Sequence, residues 1–304
     1  MRSAQLVGTI LVTWFISTRA GLTIEALRGL DLSTWTLHWP LLVSSSGVLL
    51  AGYFMTGYLW GLIVEDLGGP RLPLGVSIRL FMIANMGRYV PGKVWQIAGL
   101  AALAKTRGVP GATAVAAAIL GQGIALASAT FVGLGAAWSL ADGAAWRWAV
   151  PIGLVGGVVI GLLPPVFDRV SGLWFRLAKT PRPASLRSRD AAGWLVLGLA
   201  SWTVYAAAFW ILVRSVGLEA SFLPTGSAFA AAYVLGYVAV FAPAGIGVRE
   251  GFLVALLSPQ TGAAAAGAVA VIARLWTTLI EVIPAAVFWT RHLATAHGAP
   301  KPRD

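Results

Sequence analysis

Asn85-Met86-Gly87-Arg88-Tyr89-Val90-Pro91-Gly92-Lys93-Val94-Trp95-Gln96 places two fixed cations and a helix-breaking Pro-Gly inside a run that is otherwise apolar from Leu80 to Ala104. Lipid offers no partner to the backbone N–H and C=O groups that such a break frees, so a break at membrane depth survives only where protein or a watery cavity covers it. A charge near the bilayer centre costs at least ~2.5–3.5 kcal/mol on insertion scales. The stretch therefore reads as a site that receives an anion, with Arg88 and Lys93 as its cations.

The surrounding composition supports the membrane reading. Of 304 residues, 58% are hydrophobic and 11% charged, and the mean hydropathy is +0.80. Several apolar runs reach the ~18–20 residues that cross a bilayer. No polar stretch is long enough for a separate soluble domain, so residues 1–304 read as one all-α polytopic membrane domain. The net charge of +11 comes from cations set between apolar spans and in the tail, which points to anionic lipid headgroups and not to nucleic acid. There is no cysteine, which excludes disulfides, thiolate catalysis and Cys-ligated metals.

Moving outward, Leu6 to Thr18 behind Arg2 reads as a short retained first helix rather than a signal peptide, and Leu41 to Val64 as an unambiguous span. Ala112 to Leu140 is the span after the broken stretch. Trp146 to Phe167 crosses again, with Gly153, Gly157 and Gly161 forming a groove expected to serve packing. Residues 168–190 are the most basic connection, cytoplasmic by the positive-inside rule. Within it, Val170, Leu173, Trp174 and Leu177 recur at the spacing of an interfacial amphipathic helix, with a solvated linker as the alternative. Ala191 to Val213 is the next span, and Ser227 to Leu257 is interrupted by Pro243-Ala244-Gly245-Ile246-Gly247-Val248-Arg249-Glu250-Gly251. Ala263 to Thr290 is the last.

Charge decides between two topologies. If both interrupted segments dip in and return, Lys105, Arg107, the basic loop and both termini fall on the cytoplasmic side, giving six spans and two re-entrant hairpins. The alternative is eight full spans. A shift of 152 residues overlays Leu41–Val64 on Gly193–Val216, Pro91 on Pro243, Gly99 on Gly251 and Gln122 on Arg274. Halves of about 39–140 and 191–290 thus form an inverted repeat, joined by the 146–167 span and the basic loop. In transporters of that plan, broken helices meet near the midplane around the substrate.

Helices that resume at about Val94 and Val248 would point unpaired N–H groups and a positive dipole end at a phosphate. Arg88, Tyr89, Pro91, Gly92 and Lys93 build the first end; Pro243, Gly245, Gly247, Arg249 and Glu250 build the second. Glu250 offsets part of the charge, or meets a cationic headgroup or a neighbouring residue. Gln122, Arg274 and Glu281 are polar groups in long spans that complete the candidate site. Arg274 and Glu281, seven residues apart, share a helix face and could neutralise each other between helices; no carboxylate lies within the segment of Arg88 and Lys93.

Gly87-Arg88-Tyr89-Val90-Pro91-Gly92 with Gly108, then Pro243 to Glu250, then Arg274, resembles the lysylphosphatidylglycerol synthase transmembrane family, also described as flippase-like, over residues 5–290. The resemblance implies a translocating domain. In the best-understood members it moves an aminoacylated phosphatidylglycerol between leaflets, while a C-terminal soluble domain makes that lipid. What it implies for this chain is translocation of an anionic phospholipid, a glycolipid or a polyprenyl-phosphate-linked lipid, without enzymatic activity, cofactor or metal. A homo-oligomer or a lipid-synthesising enzyme is the expected protein partner.

The competing classes are a membrane-embedded transferase using a lipid-phosphate donor and a non-transporting subunit of an envelope-lipid assembly. A transferase needs a carboxylate base or a metal at the membrane face, and its candidates are Glu25, Asp31 and the Glu65-Asp66 pair. No HExxH, GxSxG or P-loop is present. His38, His292 and His297 lie at span edges or in the tail.

Overall fold

A computed structural model of the chain describes residues 36–89, 94–140, 152–153, 156–157, 160–161, 163–177, 186–239 and 245–297. The expected first helix, Glu25, Asp31, Pro91, Gly92, Lys93, Pro243 and most of the 146–167 span lie outside these residues. The described residues are helical, with no strand among them.

Four helices are long and apolar enough to cross a membrane: α1 (Trp39–Asp66), α4 (Gly111–Leu140), α6 (Ser188–Ser215) and α9 (Ala263–His297). Between them lie four shorter helices in two pairs, α2 (Leu74–Asn85) with α3 (Trp95–Lys105), and α7 (Phe222–Val238) with α8 (Val248–Thr261). A further helix, α5 (Pro164–Leu177), precedes α6. Several hydroxyls inside the spans are satisfied by their own helices: Ser46 donates to the Leu42 carbonyl at 2.8 Å and Thr130 to the Leu126 carbonyl at 2.8 Å. In α9 the sidedness of a soluble helix is reversed. Val271, Leu275, Leu279 and Ile283 form one exposed apolar stripe, while Arg274, Thr277 and Glu281 on the other side line a cavity.

Each short pair is a hairpin. Residues equidistant from the first break approach each other: a Cβ on Gly99 would lie 4.0 Å from Ala84 Cα, and one on Gly87 would lie 2.5 Å from the Gln96 nitrogen. In the second pair, a Cβ on Gly236 would lie 2.8 Å from Arg249 Cβ, and one on Gly245 would lie 2.9 Å from the Gly236 carbonyl. A 12-residue helix extends about 18 Å, short of a ~30 Å hydrocarbon core.

The helices α1 and α6 run antiparallel. The His38 amide donates to the Ser215 carbonyl at one end, Thr56 and Tyr205 hydroxyls meet at the centre, and the Trp194 indole donates to Asp66 at the other end. Packing is preserved when the halves are exchanged: α4 rests on α7 as α9 rests on α2, α3 on α4 as α8 on α9, and α1 on α2 as α6 on α7. The apolar core divides accordingly. One cluster, with Leu80, Leu100 and Ala104, secures the first hairpin; the other, with Phe229, Leu253 and Leu257, secures the second.

One expectation is corrected. The 146–167 span does not continue to Phe167. The backbone bends at Leu163 and Pro164-Pro165 open α5, because proline ends a preceding helix and is tolerated in a first turn. Of the two readings of the basic connection, the helix is the one found, since α5 runs on to Leu177, with Asp168, Arg169, Leu173 and Arg176 exposed on it. For the expected packing groove, a Cβ on Gly153, Gly157 or Gly161 would find no atom of the described residues within 4 Å.

Candidate functional site

The two hairpin turns, α1, α4, α6 and α9 enclose a cavity of about 150 Å³. Tyr53 and Tyr205 sit near the middle of the 28-residue α1 and α6, and Glu281 near the middle of the 35-residue α9. At 1.5 Å per residue the cavity lies about 20 Å from either end of α1. Polar groups at that depth are expensive, and their convergence marks the site.

Glu281 is the centre of the first wall. Only 2% exposed, it accepts from Tyr53 Oη at 2.5 Å and Arg88 Nη1 at 2.7 Å on one oxygen, and from Tyr89 Oη at 2.5 Å on the other. The turn Met86–Tyr89, a single 3₁₀ stretch after α2, delivers both Arg88 and Tyr89 to it. Arg88 is therefore matched by a carboxylate, contrary to the expectation drawn from its own segment, because the partner lies on α9. The expected Arg274–Glu281 neutralisation is also replaced. Seven residues span about 10.5 Å of helix axis, too far for an ion pair, and Arg274 instead faces Glu250 at 3.5 Å and lies 6.0 Å from the Tyr89 ring centre.

The second hairpin supplies the opposite wall. Gly245 and Gly247 take positive φ, +68° and +84°, which a side chain would strain. α8 then starts at Val248 as expected. The amide at its start is not left for a ligand, however, because Gly247 N–H donates to Glu250 at 2.6 Å. Glu250 thus caps its own helix and pairs with Arg274, the neighbour-pairing alternative among its expected roles. Arg249 in the same turn lines the cavity, its guanidinium 4.8 Å over the Phe229 ring.

Of the other expected residues, Gln122 lines the cavity, its amide 3.4 Å from the Tyr233 hydroxyl. The structure brings Arg88, Tyr89, Gln122, Gly245, Arg249, Arg274 and Glu281 to one cavity, with Gly247 and Glu250 behind it. Sequence reasoning missed the tyrosines. Five of the six in the chain, Tyr53, Tyr89, Tyr205, Tyr233 and Tyr237, line the cavity, and only Tyr89 was singled out. Two signals could have found them. Tyrosine favours the membrane interface, so Tyr53 and Tyr205 at mid-span are out of place, and the 152-residue shift carries one onto the other. Their rings pack edge to face at 5.4 Å.

The family model of the lysylphosphatidylglycerol synthase TM region matches residues 3–285. The chain belongs to this family. Among curated proteins, none matches it. Membership spans both hairpins and the cavity, and it makes this a multi-pass membrane protein of a family associated with lipid handling.

Proposed function

We propose that the protein translocates an anionic or phosphate-containing lipid between the leaflets of the cytoplasmic membrane, the headgroup passing through the cavity while the acyl chains stay in lipid. The observation that carries this reading is a cavity lined by arginines and tyrosine hydroxyls, at the mid-depth of the long helices and between two helical hairpins. The topology proposed with it has six spans and two re-entrant hairpins entering from opposite faces as an inverted repeat, with both termini and the 168–190 loop cytoplasmic. The antiparallel α1 and α6 and the exchange-symmetric packing support it. The ligand is a membrane lipid, and the protein acts without catalysis or cofactor.

The test is movement of a labelled anionic lipid in proteoliposomes, read by an impermeant quencher. Protein-containing vesicles should expose the inner-leaflet label faster than protein-free ones. Equal rates across a panel of anionic lipids would overturn the proposal.

A further inference from the structure

The charges around the cavity do not cancel. Arg88 is matched by Glu281 at 2.7 Å and Arg274 by Glu250 at 3.5 Å. Among the described residues Arg249 has neither carboxylate nor hydrogen-bond acceptor, only the Phe229 face. It stands in the first turn of α8, where the helix dipole disfavours a cation, and Gly236 lets the α7 backbone press against the base of its side chain. An uncompensated cation at this depth is costly unless an anion arrives.

No carboxylate on the wall is spare. Glu281 accepts three hydrogen bonds, and Glu250 is held by the Gly247 amide and Arg274. An amine-bearing headgroup would meet three arginines and two carboxylates, both already engaged, so the wall keeps a net positive charge. The wall near Arg249 is aromatic and hydroxylated instead: Trp202 lies 4.6 Å from the Tyr233 ring, Tyr237 stacks beyond it at 6.2 Å, and Gln122 reaches the Tyr233 hydroxyl. Flat faces interleaved with hydroxyl and amide groups suit the C–H faces and hydroxyls of a polyol.

We infer that the cavity selects a phosphodiester lipid with an uncharged polyol head, glycerol or a sugar ring, its phosphate on Arg249, over a lipid with a cationic aminoacylated head. The inference rests on the translocation reading only for taking the ligand to be a lipid. It departs from what the family's name suggests.

The experiment is a competition read by native mass spectrometry. Full-length protein receives equimolar phosphatidylglycerol, phosphatidylinositol, phosphatidic acid, phosphatidylcholine and lysyl-phosphatidylglycerol. The two polyol lipids should be retained about tenfold or more over the others, and Arg249→Gln should remove that preference while Arg249→Lys keeps part of it. Exposed Arg107→Gln should leave it intact. Retention of lysyl-phosphatidylglycerol equal to or above phosphatidylglycerol overturns the inference, as does equal retention of phosphatidic acid. The wild-type ranking decides these outcomes even if an Arg249 variant fails to fold. Selective retention of the polyol lipids by a protein that moves no lipid sustains this inference and removes translocation. Transport with a preference for the cationic head does the reverse.

Discussion

Glu281 joins three elements through Tyr53 on α1, Arg88 and Tyr89 on the hairpin turn, and its own α9. Glu281→Gln leaves the Arg88 guanidinium without its counter-charge, and breaking a buried pair from one side costs about 3–5 kcal/mol. The Arg88→Gln, Glu281→Gln double variant should cost clearly less than the sum of the singles, by more than about 1 kcal/mol. Chemical unfolding in detergent measures the cycle, and additive losses would show that the pair carries no coupling. At this scale the sequence exposed which residues were expensive but not whom they paired with. Arg88 and Glu281 are 193 positions apart, and only the packing of α9 on α2 makes them neighbours. Arg274 and Glu281 looked like partners because they share a face, yet the helical rise separates them.

The hairpins turn where glycine lets backbone meet backbone. A Cβ on Gly87 would stand 2.5 Å from the Gln96 nitrogen, whereas one on Gly75, in the first turn of α2, meets nothing within 4 Å. Gly87→Ala should therefore lower stability by about 1–3 kcal/mol through overpacking. Gly75→Ala should be neutral or stabilise by up to about 1 kcal/mol through helix propensity. Thermal unfolding of the two variants side by side decides this, and equal midpoints would mean that the hairpin turn is not closely packed. Both breaks were legible because Pro91-Gly92 and Pro243-Ala244-Gly245 stop a helix by their own geometry. The start of α7 was read late, at Ser227 rather than Phe222. Pro224 falls within the first turn of α7, where proline lacks only an N–H that would have no partner.

At the scale of the whole molecule, the proposed topology is tested on a background without cysteine. Single cysteines at exposed Arg71 and Arg107, which flank the first hairpin, should label with an impermeant maleimide from one side of the membrane. Cysteines at exposed Glu219 and Gln260, which flank the second, should label from the other. Labelling of 71 and 107 from opposite sides would restore full crossings. The repeat was legible as matched spacing of elements, whereas the cavity was not, since its tyrosines come from α1, α6, α7 and the first hairpin turn and converge only in three dimensions. The central claim is that lipid headgroups pass through this cavity, and Gly121 offers direct access to it. This glycine lines the cavity on α4, and among the described residues a Cβ there would meet only Ile63 Cδ1, at 3.7 Å. Gly121→Leu should fill the cavity without disturbing the fold. The deciding measurement is translocation of a labelled anionic lipid by this variant in proteoliposomes, with thermal unfolding confirming that it is folded. The account predicts a fall of at least about tenfold, the effect of some 1.4 kcal/mol, and a folded variant moving lipid at the wild-type rate would contradict it.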